Sequence, residues 1–219
     1  QAYRSSPDRL MLPSHDEENR NSSAFSWSAA MKLLNSDSKI AKKLDEWLER
    51  LEIDYKIGST TTKAKTTSFD QITFSDKGSK SEIDLSPADI GFGISQLIPI
   101  LITGLRLVRP ASRLTVLVEE PEVHLHPKLQ AEIGDFFIET TKDDRKHWVI
   151  ETHSENLLLR IQRRIKEGSL DPKDVCVLYA QKGDDGSTMQ ELRIDDDGEF
   201  IDPWPEGFFE EGLQELLGL

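Results

Sequence analysis

The sequence predicts an α/β protein with a mostly parallel sheet, preceded by a helix and hairpin region and followed by a short β/α tail. Three observations carry that expectation. Two apolar strands, Leu114–Val118 and Trp148–Glu151, flank a helix-length segment from Lys128 to Thr141, which is the spacing of a crossover unit. The first of these strands is apolar but for Thr115, as suits a strand covered on both faces. A further helical segment, Glu155–Lys166, follows the second strand at once and closes at Gly168, so strands and helices alternate.

Residues Gln1 to Ser23 are rich in Ser, Asn, Asp, Glu and Arg and poor in large apolar side chains, which predicts a linker or poorly ordered entry. From Ser38 onward Ile40, Leu44, Trp47, Leu48 and Leu51 recur at helical spacing, with Ser36, Asp37 or Ser38 available as a cap, and predict an amphipathic helix over Lys39–Leu51. Ile53–Ile57 reads as a short strand and Gly58–Ser68 as an exposed excursion. Phe69–Phe74 and Glu82–Leu85 flank Asp76-Lys77-Gly78-Ser79, the composition of a hairpin turn. A buried helix follows from Gln96 to about Val108, with Ser95 at the cap position and Pro99 in the first turn, where a missing N–H costs nothing. Beyond Gly168, Val175–Tyr179, Met189–Ile194 and Glu199–Ile201 read as edge strands, Asp195–Gly198 as a turn, and Phe209–Leu217 as a closing helix. The chain thus divides into an entry (1–23), a helix with antiparallel strands (24–88), an α/β core (89–180) and a hairpin and helix tail (181–219).

Composition narrows the function. Forty acidic against 27 basic residues leave a net charge of −13, which disfavours a large nucleic-acid footprint on this chain. The single cysteine, Cys176, excludes a disulfide framework and fits a reducing, cytoplasmic setting. The longest strongly apolar stretch, Leu97–Leu105, is far shorter than the roughly 20 residues of a spanning helix and contains Pro99 and Gly104. With Gln1 in first place and no signal-peptide pattern, the sequence reads as a piece of a longer protein.

Chemistry concentrates at three short segments. The strand Leu114–Val118 ends in Glu119, Glu120 and Pro121, and open parallel sheets bind ligands at that edge. Adjacent strand residues face opposite ways, so one carboxylate can face a phosphate-bound Mg²⁺ while the other faces an attacking water. Gly91-Phe-Gly-Ile-Ser-Gln96 is a flexible loop that brings a hydroxyl and a helix N-terminus to one point, which suits a γ-phosphate. Thr152-His153-Ser154 follows the second strand, at the same edge if the two strands are neighbours, and a neutral imidazole there can sense phosphate and orient water while Ser154 caps the next helix. A P-loop is missing: in the one Lys-rich loop, Lys63 follows Thr62 and precedes Ala64, with no glycine before a Lys-Ser/Thr pair.

Together these segments resemble the signature loop, Walker B strand and switch histidine of ABC-type ATPases of the RecF, SMC and OLD branch, also described as AAA-like. The resemblance covers roughly Asp89 to Ile165, and the Trp204–Phe209 segment is similar to a tail of an uncharacterised bacterial subgroup. It implies the C-terminal half of a P-loop NTPase domain, with ATP and Mg²⁺ as cofactors and a homodimer that closes on ATP. Gly91, Gly93, Ser95 and Gln96 would contact nucleotide held by the other protomer. Glu119 would take the Mg²⁺ side, Glu120 would be the catalytic base, Val123–His126 the D-loop and His153 the switch. Two departures stand out. Glu119 replaces the family's usual Asp, and the P-loop is expected upstream of Gln1, so the 219 residues alone are expected to be inactive. A DNA or effector partner would bind through other regions.

Two other readings compete. His124, His126 and His153, with Glu120 and Glu122, suggest a metal-dependent nuclease of the OLD type, for which Asp195-Asp196-Asp197-Gly198 would be a remnant. Those acidic residues are better explained as a hairpin turn between short strands. Alternatively the chain is a non-enzymatic partner-binding or dimerisation module, with Arg160, Arg163, Arg164 and Lys166 as its surface. Basic residues late in a helix also suit the helix dipole.

Overall fold

The computed structural model describes residues 27–63, 68–78, 84–108, 111–142, 145–183 and 186–204. The expected entry segment and the closing helix over Phe209–Leu217 lie outside them. By internal contacts the chain divides into two units, Gln1–His153 and Ser154–Leu219. Among the described residues no helix is long and apolar enough to cross a membrane.

The first unit opens with a helix the sequence analysis missed, α1 (Trp27–Ser36). Its signal was present: Trp27, Ala30 and Met31 fall at helical spacing, and all three are buried. Helix α2 (Ser38–Arg50) is capped by Asp37, whose carboxylate accepts from Lys39 N–H at 2.9 Å. It buries Ile40, Leu44, Trp47 and Leu48, each contributing about 1.5–3 kcal/mol of burial.

Strands β1 (Tyr55–Lys63) and β2 (Ser68–Asp76) form an antiparallel hairpin in register from Tyr55↔Asp76 to Lys63↔Ser68. This corrects one expectation: Gly58–Lys63 is strand rather than excursion, because each of its residues has a partner on β2, and the Thr run suits a pleated surface. Of the expected hairpin of Phe69–Phe74 with Glu82–Leu85, residues 79–83 lie outside the described residues, and Phe74 pairs antiparallel with Leu85.

Helix α3 (Phe92–Gly104), strand β3 (Leu114–Glu119), helix α4 (Pro127–Thr141) and strand β4 (Lys146–Glu151) complete the unit. Strands β3 and β4 pair in parallel from Leu114↔Lys146 to Glu119↔Glu151, with α4 as the crossover. An aromatic chain ties the layers together: Trp47 meets Phe136 edge-on at 5.0 Å, and Phe136 and Phe137 meet Trp148 at 6.1 and 4.7 Å. Arg50 lies 4.4 Å over the Trp47 ring and reaches Asp135 and Glu139 on α4 at 3.3 and 2.6 Å. The Lys146 ammonium, buried, donates to the Gly104 carbonyl at the end of α3. Strand β3 is covered on one face only. Val116 and Val118 point inward, whereas Leu117 and its β4 partner Val149 are 59% and 55% exposed.

In the second unit α5 (Glu155–Lys166) is capped by Ser154, whose Oγ accepts from Leu157 N–H at 3.2 Å, and ends at Gly168, φ 69°. After a single 3₁₀ turn at Pro172–Asp174, β5 (Val177–Gly183) and β6 (Gly186–Leu192) form an antiparallel hairpin. The expected strand over Glu199–Ile201 is a bridge, Ile194↔Phe200. Between its halves Asp195 accepts from the N–H groups of Asp197 and Glu199 at 3.0 and 2.9 Å, so the acidic run is a turn. Gly198, φ 78°, has no room for a Cβ against the backbone of Gln162, whose side-chain amide donates to the Gly198 carbonyl at 2.8 Å. Of the basic residues late in α5, Arg163 and Arg164 both bond Glu167, at 2.7 and 2.6 Å. Trp204 packs edge-on against Phe200 and Tyr179 at 4.8 and 6.5 Å.

Arg193 holds Asp202 with two side-chain bonds of 2.9 and 2.8 Å and a backbone N–H at 2.9 Å. The guanidinium bonds, followed by the backbone bond, lower the Asp202 carboxyl to about 2. A carboxyl depressed in the folded state adds stability above its unfolded value, near 3.9, and loses it as pH falls toward 2. A carboxyl-carbon NMR titration should therefore find Asp202 half-protonated near pH 2, and Arg193→Gln should return that midpoint toward 3.9.

Candidate active site

Strand β3 carries its alternation as far as Glu119, which is exposed at the strand's end. The next residue leaves the strand. Glu120 adopts φ 44°, a left-handed conformation, although its N–H still bonds the Glu151 carbonyl at 2.7 Å. The two carboxylates are therefore set by a turn, which corrects the expectation that strand alternation alone separates them. A non-glycine residue in this region costs about 1–3 kcal/mol and persists only where its surroundings hold it.

The turn that holds it runs from Glu120 to His126. Val123 N–H bonds the Glu120 carbonyl at 3.1 Å and Leu125 N–H the Glu122 carbonyl at 3.0 Å. The Gln130 amide donates from α4 to the carbonyls of Glu122 and Leu125 at 3.4 and 3.1 Å. His124 supplies a second left-handed step, φ 63°. His126 ends the turn as the cap of α4: its Nδ1 accepts from Lys128 N–H at 3.3 Å, and Pro127 takes the first helical position.

The glycine run packs against this turn. Helix α3 begins at Phe92, and Gly91, φ 87°, occupies the cap position that the sequence analysis gave to Ser95. The reason is conformational, since Gly91 enters the helix through a backbone region open to glycine. Ser95 instead lies within the first turn, buried, and its hydroxyl donates to the Phe92 carbonyl at 2.8 Å. Pro99 consequently falls in the helix interior, where it cannot supply the N–H that the Ser95 carbonyl would accept. Gln96 is half-buried. A Cβ on Gly93 would strike the His124 carbonyl oxygen and lie 3.0 Å from Leu125 Cδ2. Phe92 meets the His124 ring edge-on at 5.0 Å.

His153 reaches the turn from the end of β4. Its Nε2 is 3.7 Å from Glu120 Oε1, with the imidazole 67% exposed and the carboxylate 23% exposed. Its backbone N–H donates to Glu122 Oε1 at 2.7 Å. Glu122, 5% exposed, is a residue whose role the sequence analysis missed. Its Oε2 is buried with no hydrogen-bond partner among the described residues, a situation that costs about 1–3 kcal/mol. No periodicity reports such a residue, because its partner lies 31 positions along the chain.

Among the described residues no three or more His, Cys, Asp or Glu side chains gather closely enough to hold a metal ion by themselves. His124 meets Phe92 and His126 caps α4, and among the described residues neither belongs to a group of three metal-type donors. One exposed carboxylate at a strand end does fit Mg²⁺, which keeps several waters and takes its other ligands from substrate phosphates.

Comparison with known proteins identifies the family and the fold. A family profile described as an AAA ATPase domain matches residues 9–158. The chain belongs to the AAA ATPase domain family. A second profile, a protein of unknown function (DUF3696), matches residues 170–219. No curated protein matches the chain. Among solved structures, one from a study of ATP-driven dimerization and DNA-stimulated activation of SMC ATPases is 12% identical, with a TM-score of 0.50 over 74% of this chain and 89% of that one. Another, the Smc head bound to the C-terminal winged-helix domain of ScpA, is 13% identical, with a TM-score of 0.53 over 74% of this chain and 44% of that one. The chain thus spans less than half of the second. The fold is that of SMC ATPase heads, the P-loop NTPase fold, on a chain of the AAA ATPase domain family.

The contact of Gly93 with the His124 backbone sets a prediction. Gly93→Ala should destabilise the first unit by about 1–3 kcal/mol, as overpacking does, and lower its thermal midpoint. An unchanged midpoint would show that the loop and the turn separate freely.

Proposed function

We propose that this chain supplies the hydrolytic residues of an ATPase that works as a two-protomer nucleotide sandwich. The reading rests on one observation, the Glu120–His153 pair at the C-terminal edge of parallel strands in a chain of the AAA ATPase family. Glu120 is the general base: its Oε1 accepts the proton of the water that attacks the γ-phosphate in line. His153 stands beside that oxygen with its imidazole mostly in solvent, where it can meet phosphate and orient the water. Glu119 holds Mg²⁺, which would neutralise charge developing on the phosphate oxygens.

The run from Gly91 to Gln96 serves the nucleotide of the opposite protomer. Because the Ser95 hydroxyl is turned into its own helix, the contact falls first to the backbone N–H groups at the start of α3, at Gly91 and Gly93. A dimer formed on ATP agrees with the ATP-driven dimerization named for one structural relative. The 219 residues contain no Gly-x-x-x-x-Gly-Lys-Ser/Thr sequence, and in this reading the phosphate affinity comes from a P-loop outside them.

In an assembly that includes a P-loop, Glu120→Gln should lower kcat by about 10²–10⁴-fold, the usual range for loss of a general base, with KM changed by only a few-fold. The same variant should prolong the ATP-bound dimer, measured by size-exclusion chromatography with light scattering. Undiminished hydrolysis would overturn the assignment of Glu120.

A further inference from the structure

We infer that Glu122 is a positioning residue that holds His153 against Glu120 by accepting the His153 backbone N–H. The inference rests on the ATPase reading only for its effect on turnover. Its structural part stands on three observations. The Glu122 carboxylate is buried, its one described side-chain hydrogen bond runs to His153 N–H at 2.7 Å, and its other oxygen has no partner among the described residues. A buried carboxylate satisfied at one oxygen is a poor way to stabilise a turn, and a methionine or leucine of similar volume would avoid the cost. What an apolar side chain cannot do is bind the His153 N–H, two residues past the end of β4.

The location gives that bond a consequence. β4 stops at Glu151, where its ladder with β3 also ends, and His153 lies two residues further on. Glu122 supplies the fixing point from the turn after β3, two residues beyond Glu120. The imidazole and the catalytic carboxylate are thereby referred to one short piece of backbone, Glu120–Glu122, which the Gln130 amide and the Val123 N–H also hold. Holding a base and its neighbour within a few tenths of an ångström needs this kind of support from residues that do not touch substrate.

The test compares Glu122→Gln, which keeps an acceptor oxygen at the same place, with Glu122→Met, which does not. With ¹⁵N-histidine labelling the full chain gives signals from only five histidines, and His153→Gln assigns the one in question. The His153 amide should exchange slowly with deuterium in the parent chain and in Glu122→Gln, within about threefold of each other. Glu122→Met should accelerate it by at least tenfold. Equal exchange in Glu122→Met overturns the inference. If that variant does not fold by circular dichroism, the parent chain decides: a His153 amide exchanging as fast as an unprotected one also overturns it. In the P-loop-containing assembly, Glu122→Met should lower kcat at least tenfold with KM within about threefold, and Glu122→Gln should restore it. Loss of turnover confined to KM, or shared by both variants, would assign Glu122 a different role. A parent assembly without ATPase activity refutes the ATPase reading and leaves the exchange result to stand alone.

Discussion

The turn from Glu120 to His126 is fixed from three directions, and the placement of every candidate site residue follows from it. The parallel register brings Glu151 beside Glu119 and gives the Glu120 N–H its acceptor, so the chain stays tied to β4 while Glu120 departs from the strand. Gln130 pulls from α4 on two carbonyls, and the backbone of His124 closes against Gly93 on α3. Left-handed steps at Glu120 and His124 are the cost of a turn tight enough to satisfy all three, since each neighbour fixes a different point of the same short segment.

That turn depends in turn on the packing behind it. Trp47, Phe136, Phe137 and Trp148 interlock edge to face, and Trp148 also donates its indole N–H to Thr140 at 2.9 Å, which fixes β4 on α4. Gly104 lets α3 approach the same cluster, because a Cβ there would collide with the Phe136 ring. The two strands are therefore positioned by helices on one face. This accounts for a parallel pair that is ordered even though Leu117 and Val149 on its other face remain exposed.

Much of this was legible in the sequence, and the reasons are local. The elements from Leu114 to Lys166 are set by apolar runs, by a cap at Ser154 and by a His-Pro helix entry, and they lie within a few residues of their expected bounds. What was misread depends on contacts distant in sequence. Ser95 has the residue type of a cap, but Gly91 alone can enter α3 at φ 87°. The Thr-rich stretch after Gly58 has loop composition, yet β2 gives it a ladder partner. Glu119 and Glu120 obey the alternation rule only as long as the strand lasts, and the turn that ends it is dictated by residues on α3, α4 and β4. Glu122 has no local signature, because its meaning is a bond to the backbone of His153.

Electrostatics then decides what kind of partner this edge requires. Glu119, Glu120 and Glu122 place three carboxyl groups within four residues, on a chain of net charge −13. A nucleotide triphosphate is itself strongly anionic, and like charges at contact distance repel by about 1 kcal/mol in water and several times that near a protein surface. In the proposed reading the edge activates water but does not by itself attract phosphate. Mg²⁺ at Glu119, backbone N–H groups at a helix start and the lysine of a P-loop would each offset that repulsion, and only the first two are available from these residues. Separating the carboxylate that takes the proton from the cations that bind the phosphate is consistent with a sandwich, in which chemistry awaits the approach of a second set of groups.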